Sequence, residues 1–324
     1  KVCSKFFFKK IKEKIFIKNN FFIKIMYDLC KKYQKKEFLI KGPTHGERDI
    51  ECLISQNNKI VEFTPDEIYL GNEMLKEIGI KENQEIVCLC VRDKFYLNNI
   101  MPKINWSYLD YKDSDINSYN KSVKFLNDRN ISVIRMGAGA EKKWEFNSNV
   151  NYDYANSKHR SSFLDFFLVY RSKFVITNGT GFYWVPYVLK KPIIMCDFVP
   201  VGDMCTYVTN SIQIFKHIYS NEKKRTLNLR ELFSKKYNVL QNSDDYVKNN
   251  LKVIDNSPNE IRDCVNEMYF KIENKWIETI EQKKLQENFW QNYPKQANIK
   301  ENSLKKRHGI LNAKIGSEFL KKYY

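Results

Sequence analysis

Residues Ser161–Pro200 read SSFLDFFLVYRSKFVITNGTGFYWVPYVLKKPIIMCDFVP, and this stretch decides the fold. Two apolar runs flank a polar turn, Thr177-Asn178-Gly179-Thr180-Gly181. Phe174-Val175-Ile176 is short, apolar and β-branched or aromatic, as a strand buried on both faces requires. The pattern predicts a packed helix over Phe182–Leu189, which Pro192 ends before Ile193-Ile194-Met195 opens the next strand. In open α/β sheets ligands gather at the carboxyl ends of the strands. Gly179, Gly181 and two threonines there offer backbone N–H groups, hydroxyls and a helix start to an anion such as a diphosphate. A plain tight turn would use the same glycines, and this stretch alone leaves both readings open.

The alternation of strand and helix extends outward. Glu85–Val91 is a nearly pure apolar strand followed by Arg92-Asp93, and Ile131–Ile134 is another followed by Arg135-Met136-Gly137. Thr64-Pro65-Asp66-Glu67 starts a helix, with an N-cap threonine, proline at the first helical position and acids behind it; Gly79 stops it. Further helices are expected over Ser114–Asn127, over Ser161–Arg171, from the Asp255–Glu260 cap to about Glu273, and over 276–291. Residues 138–156 read as loop, 47–63 as a weak, short strand region, and 4–36 as one or two basic amphipathic helices. This succession predicts an α/β fold with a doubly wound, Rossmann-like parallel sheet.

At 324 residues, 43% of them apolar, the chain has material for two domains. No run approaches the roughly 20 apolar residues that span a bilayer, so a soluble protein is expected. The eight cysteines are scattered without a CxxC pair, which fits reduced, buried thiols in a cytoplasmic protein. The net charge of +17 is uneven: residues 1–41 carry thirteen lysines against three acids, and residues 299–324 carry seven basic residues against two acids. A nucleic-acid binder concentrates its surplus on the folded domain, so no nucleic-acid partner is expected. Terminal surpluses leave two readings, peripheral attraction to an anionic membrane face or a polyanionic acceptor, or a merely solvated, lysine-rich composition. The chain begins at Lys1, without a signal pattern, and an internal start with upstream residues missing is one expectation.

Parallel strands place their carboxyl ends on one rim, so Arg92, Arg135 and the 177–181 turn are expected to converge. Planar guanidinium forks match diphosphate oxygens and stay charged in any pocket. GxxxxGK[ST], GxSxG and HExxH are absent, and Gly137-Ala138-Gly139 lacks a third glycine at dinucleotide spacing. Such a rim suits a nucleotide diphosphate and the negative charge that grows as it departs. The acid pairs Asp113/Asp115 and Asp244-Asp245 read as lying off the rim, so no metal is expected.

FTPDEIYLGNEMLKEIGI (63–80), VCLCVRDKFYL (87–97), the 110–137 block ending VIRMG, DYANS (153–157), SSFLDFFLVYRSKFVITNGTG (161–181) and the late FLKKYY occur in order. Together they resemble a family of bacterial glycosyltransferases of surface-polysaccharide synthesis, and the ladder is similar to the donor half of fucosyltransferase-like GT-B enzymes. That resemblance implies an N-terminal acceptor-side region over 1–80, a nucleotide-sugar donor domain over 81–275 and a C-terminal helical extension over 276–324. It implies that Arg92 binds the β-phosphate, that Gly179, Thr180 and Gly181 hold the phosphates, that Asp165 supports the nucleoside or caps the site, and that Asp93 is the nearest candidate for acceptor activation. Arg135, Gly137, Thr177 and Asn178 complete the expected donor site; Lys112 stands where an arginine is expected and receives no role. Asp153, Tyr154 and Ser157 are either functional or a structural turn. The implied partners are a nucleotide sugar and a glycan or lipid-linked glycan acceptor, without cofactor. The alternatives are a sugar-nucleotide epimerase on a similar scaffold, for which no inward-facing carboxylate set is visible, and a non-catalytic basic binder of nucleic acid or membrane surface.

Overall fold

The computed structural model describes residues 4–14, 48–49, 52–56, 61–146, 148–296, 308 and 311–323. Ten strands occur among them: β1 Ile86–Cys90, β2 Ser132–Arg135, β3 Tyr152–Asp153, β4 Val175–Asn178, β5 Ile193–Phe198, β6 Ser211–Phe215, β7 His217–Ser220, β8 Arg225–Thr226, β9 Leu251–Ile254 and β10 Lys314–Ile315. Seven form one sheet in the order β3-β2-β1-β4-β5-β6-β10, parallel at every pairing. The chain runs from β1 outward through β2 to β3, then returns to β4 on the other flank of β1. The order therefore reverses between β1 and β4, where an open α/β sheet leaves a crevice at its carboxyl rim. This is an α/β, Rossmann-like fold. A small antiparallel sheet, β8-β7-β9, continues from β6.

The central strands are buried on both faces and are mostly apolar, β1 at every position. Val87 and Leu89 enter one core with Val123, Leu126, Ile261 and Val265, from the helices Asn120–Asn127 and Pro258–Ile272. Ile86, Cys88 and Cys90 alternate into the other, with Leu75 of Pro65–Glu77 and Phe167 of Ser162–Arg171. The helix Pro65–Glu77 starts as its sequence dictates, with a reciprocal Thr64–Glu67 capping box, and Pro258–Ile272 does so through Ser257 and Glu260. Ser161 caps Ser162–Arg171 by accepting from the Leu164 N–H at 3.1 Å.

Several expectations need correction. The helix over 182–189 is a 3₁₀ turn, Gly181–Tyr183, followed by only five α-helical residues, Trp184–Val188, with Pro186 among them. Thr177 and Asn178 belong to β4 and are fully buried, so the turn itself is Gly179–Gly181. The region 47–63 holds one helical turn, Leu53–Gln56, and no strand among its described residues. The helix over 114–127 begins as 3₁₀, Ile116–Tyr119, because Asp115 caps it by accepting from the Asn117 N–H at 2.9 Å. The loop 138–156 contributes edge strand β3, and the last long helix is Ile280–Gln296. Of the amphipathic helices over 4–36, Lys5–Lys14 is present and the rest lies outside the described residues. Its Phe6 packs against Phe63, Phe163 and Phe166, and Phe7 stacks on Phe166, so this helix turns apolar side chains toward the protein itself. No helix among the described residues is long and apolar enough to cross a membrane.

Candidate functional site

Arg92 lies two residues beyond the end of β1, at the reversal of strand order. Its backbone N–H donates to Asn178 Oδ1 at the end of β4 at 2.9 Å, and its carbonyl accepts from the Ser114 N–H at 3.1 Å. Its Nε donates to Asp113 Oδ1 at 2.9 Å. Both Nη groups are without a hydrogen-bond partner among the described residues, and the side chain is 19% exposed. Asp113 thus stands on the rim, not away from it as the sequence reading placed it. Burial raises its carboxyl above the usual carboxylate range, and the Arg92 charge pulls the other way.

Asn178 works as a strut. Its Oδ1 accepts from Arg92, and its Nδ2 donates to the Lys112 carbonyl at 3.3 Å and to Ser114 Oγ at 3.2 Å. These bonds strap residues 112–114 across the gap between β1 and β4. Thr177 Oγ1 donates to its neighbour's carbonyl at 3.0 Å, and Thr180 Oγ1 accepts from the Phe182 N–H at 3.1 Å. The helix behind this turn is a single short one, so the anion-binding dipole expected there is lost. What remains on this flank is the exposed Gly181, around which an added Cβ would meet nothing within 4 Å. Burial pushes the neighbouring Cys90 thiol up to about 12, despite the Thr180 hydroxyl, and it stays protonated.

Arg135 behaves differently. It is the last residue of β2 and 2% exposed; its Nη1 donates to the Lys142 carbonyl at 2.8 Å and to Asp153 Oδ2 at 3.2 Å, while Nη2 lies 4.0 Å from Asp93 Oδ2. Asp93 in turn accepts from the Phe95 N–H at 3.0 Å and the Glu141 N–H at 2.9 Å, one on each oxygen. Arg135 and Asp93 therefore hold the 137–141 loop against the rim, where Gly137 and Gly139 take positive φ of 149° and 93°. The DYANS block is held by internal bonds: Asp153, in β3, anchors Arg135, the Tyr154 hydroxyl donates to the Ser161 carbonyl at 3.1 Å and accepts from the Ser161 N–H at 2.9 Å, and Ser157 bonds Tyr152 at 2.6 Å. Asp165, in the first turn of Ser162–Arg171, is raised by burial and pulled down by Arg160 at 3.4 Å and by the Tyr154 hydroxyl; those partners lie close along its own stretch of chain.

The carboxyl ends of β5 and β6 hold a network that the sequence did not announce. Buried Asp197 accepts from the Tyr119 hydroxyl at 3.0 Å and the Asn256 N–H at 2.6 Å; burial and the charge of Asp255 raise its carboxyl. Buried Lys216 donates to the Asp113 carbonyl and pairs with Asp255 at 2.8 Å. The chain positions involved, 113, 197, 216 and 255, are far apart, and no local motif marks them. Lys216 thereby ties this network to the segment that orients Arg92.

Beside Arg92 opens a cleft of about 210 Å³, lined among others by Leu97, Asn98, Ile104, Asn105 and Trp106. Among the described residues no group of three or more His, Cys, Asp or Glu side chains is arranged to hold a metal ion.

No protein-family model matches this chain, and no curated protein matches it. Among solved structures, the E. coli ADP-heptose LPS heptosyltransferase II is similar over 48% of this chain and 44% of its own, with 14% identity and a TM-score of 0.35. The KpsC β-Kdo 2,4 transferase of Thermosulfurimonas dismutans is similar over 44% of this chain and 49% of its own, with 13% identity and a TM-score of 0.24. This chain thus spans about half the length of either. Likenesses this low transfer neither substrates nor residue roles.

Proposed function

We propose that the chain is a glycosyltransferase that takes a sugar from a nucleotide-sugar donor and holds the donor's diphosphate on the rim between β1 and β4. The observation that supports this most is Arg92: a guanidinium fixed through Nε, with both Nη groups left for a ligand, at the switch point of a parallel sheet. In transfer, the bond between the anomeric carbon and the donor phosphate oxygen breaks and its electron pair stays on that oxygen. The acceptor hydroxyl oxygen bonds to the anomeric carbon, and its proton passes to solvent water. A permanently charged guanidinium beside the departing oxygen stabilises the charge as it forms. Gly179, Thr180 and Gly181 border the same crevice and receive the phosphates from the β4 side. Asp93 has both oxygens on backbone N–H groups, and in this reading it holds the loop rather than activating the acceptor. A glycan or lipid-linked glycan is the proposed acceptor.

Calorimetric titration of the full chain with UDP, GDP and CMP tests the reading. One of them should bind, and Arg92→Ala should weaken it by about tenfold or more. At 100 times its dissociation constant the bound nucleotide should add about 2.7 kcal/mol to unfolding stability. A wild-type chain that binds none of the three sinks the proposal.

A further inference from the structure

We infer that the cleft beside Arg92 is the subsite for the donor's nucleobase, with Trp106 as its stacking wall; this rests on the donor reading above. The cleft holds about 210 Å³, room for a flat ring system. Two cation–acid pairs line it: Lys94 Nζ lies 2.9 Å from Asp110, and Arg92 Nε lies 2.9 Å from Asp113. Each acid is thereby neutralised by a cation, with one of its two oxygens engaged. What remains is apolar and neutral-polar. The Trp106 Nε1–H donates to the Met101 carbonyl at 3.1 Å, which pins the indole by its edge, and Tyr108 supports it at 6.0 Å between ring centroids. Ile104 stays 46% exposed beside it, an apolar side chain kept in water at the mouth of a cleft. Asn105 Oδ1 accepts from the Ser107 N–H at 3.0 Å, leaving Nδ2 to donate, and the Asn98 side-chain amide has no partner among the described residues. A pinned aromatic wall with amide donors and acceptors at its edge, next to a phosphate-ready arginine, fits a nucleobase joined to a diphosphate.

The test compares UDP, GDP, UDP-glucose, GDP-mannose and inorganic pyrophosphate on the wild type, Trp106→Ala, Trp106→Phe and Arg92→Ala by calorimetry. The wild type should bind UDP or GDP more tightly than pyrophosphate. Trp106→Ala should weaken that nucleotide about tenfold or more while leaving pyrophosphate unchanged, and Trp106→Phe, which keeps a ring, should stay within a few-fold. Arg92→Ala should weaken nucleotide and pyrophosphate alike. Nucleotide affinity that ignores Trp106→Ala, or that equals pyrophosphate affinity in the wild type, overturns the base subsite and leaves the diphosphate reading standing. If Trp106→Ala removes only the extra affinity of the nucleotide sugar over its nucleotide, the cleft belongs to the sugar and the inference is wrong. A wild type that binds neither nucleotide nor pyrophosphate overturns both.

Discussion

Arg92 and Arg135 close adjacent parallel strands on the same rim, and each reaches an aspartate. Around Arg135 the protein supplies a carbonyl and two carboxylates, water is excluded, and the guanidinium is 2% exposed. Around Arg92 it supplies one carboxylate to Nε, leaves both Nη groups without a partner among the described residues, and opens a cleft. One arginine is a rivet between the 137–141 loop and the sheet; the other is oriented and unfinished. The network of Asp197, Lys216, Asp255 and Asn256 at the ends of β5 and β6 repeats the first pattern with different residue types. A polar residue at a strand end therefore marks a binding site only where donor groups remain after the fold has taken what it needs.

The sharpest way to break that contrast is to remove each arginine in turn. Arg135→Met strands Asp153 and Asp93 in mostly buried positions, so it should cost about 3 kcal/mol of unfolding stability in urea while pyrophosphate affinity per folded molecule holds. A cost under about 1 kcal/mol with binding lost would exchange the two roles. Arg92→Ala should do the reverse. Its pair with Asp113 is about as buried as the partners of Arg135 but makes a single bond, and burial already favours the protonated Asp113. The stability cost should therefore stay below that of Arg135→Met, at about 1–2 kcal/mol, while pyrophosphate weakens by about tenfold or more.

Two glycines carry the same contrast into the backbone. Gly139 has φ of 93°, and a Cβ there would sit 2.0 Å from the Phe95 ring, so Gly139→Ala should cost about 2 kcal/mol. Gly181 has open space, and its alanine should leave stability within about 0.5 kcal/mol yet set a methyl on the crevice and weaken nucleotide binding. Unchanged binding in Gly181→Ala would place the diphosphate away from this turn.

The sheet was legible where strands are continuous apolar runs, as in β1, β2, β4 and β5. It was not legible at β6, whose Ser211 and Gln213 break the run; both are buried because Ser211 donates to the Val208 carbonyl at 2.8 Å and Gln213 to the Cys205 carbonyl at 2.9 Å. Two-residue strands such as β3 and β10 carry no periodicity at all. For the site, the strand-end positions of Arg92 and Arg135 could be read, but not which one would be saturated. That depends on Asp113 and Asp153 arriving from elsewhere in the chain, and partners brought by tertiary packing leave no local pattern. Pro186 was the one overlooked local signal: it lies within the short helix and restricts how far a helix can be built there.

The smallest expected effect addresses how complete the Arg92–Asp113 pair is. Burial holds the Asp113 carboxyl above its ordinary 3.8, with Arg92 only partly offsetting it, so the folded chain keeps that proton to higher pH than the unfolded chain. The stability this contributes is fully present below 3.8 and is lost as pH rises through the folded value. Asp113→Asn keeps an acceptor for Nε and does not titrate. At about pH 7 it should therefore be at least as stable as the wild type, by less than about 1 kcal/mol, and the gap should close as pH falls toward about 4. Removing the competing charge should also raise pyrophosphate affinity a few-fold at neutral pH, an advantage that fades on acidification. Urea unfolding and calorimetry across that range check both. A wild type clearly more stable than Asp113→Asn at neutral pH would mean that Asp113 ionises readily and satisfies Arg92. Arg92 would then be a second rivet, and the difference between the two strand ends would collapse.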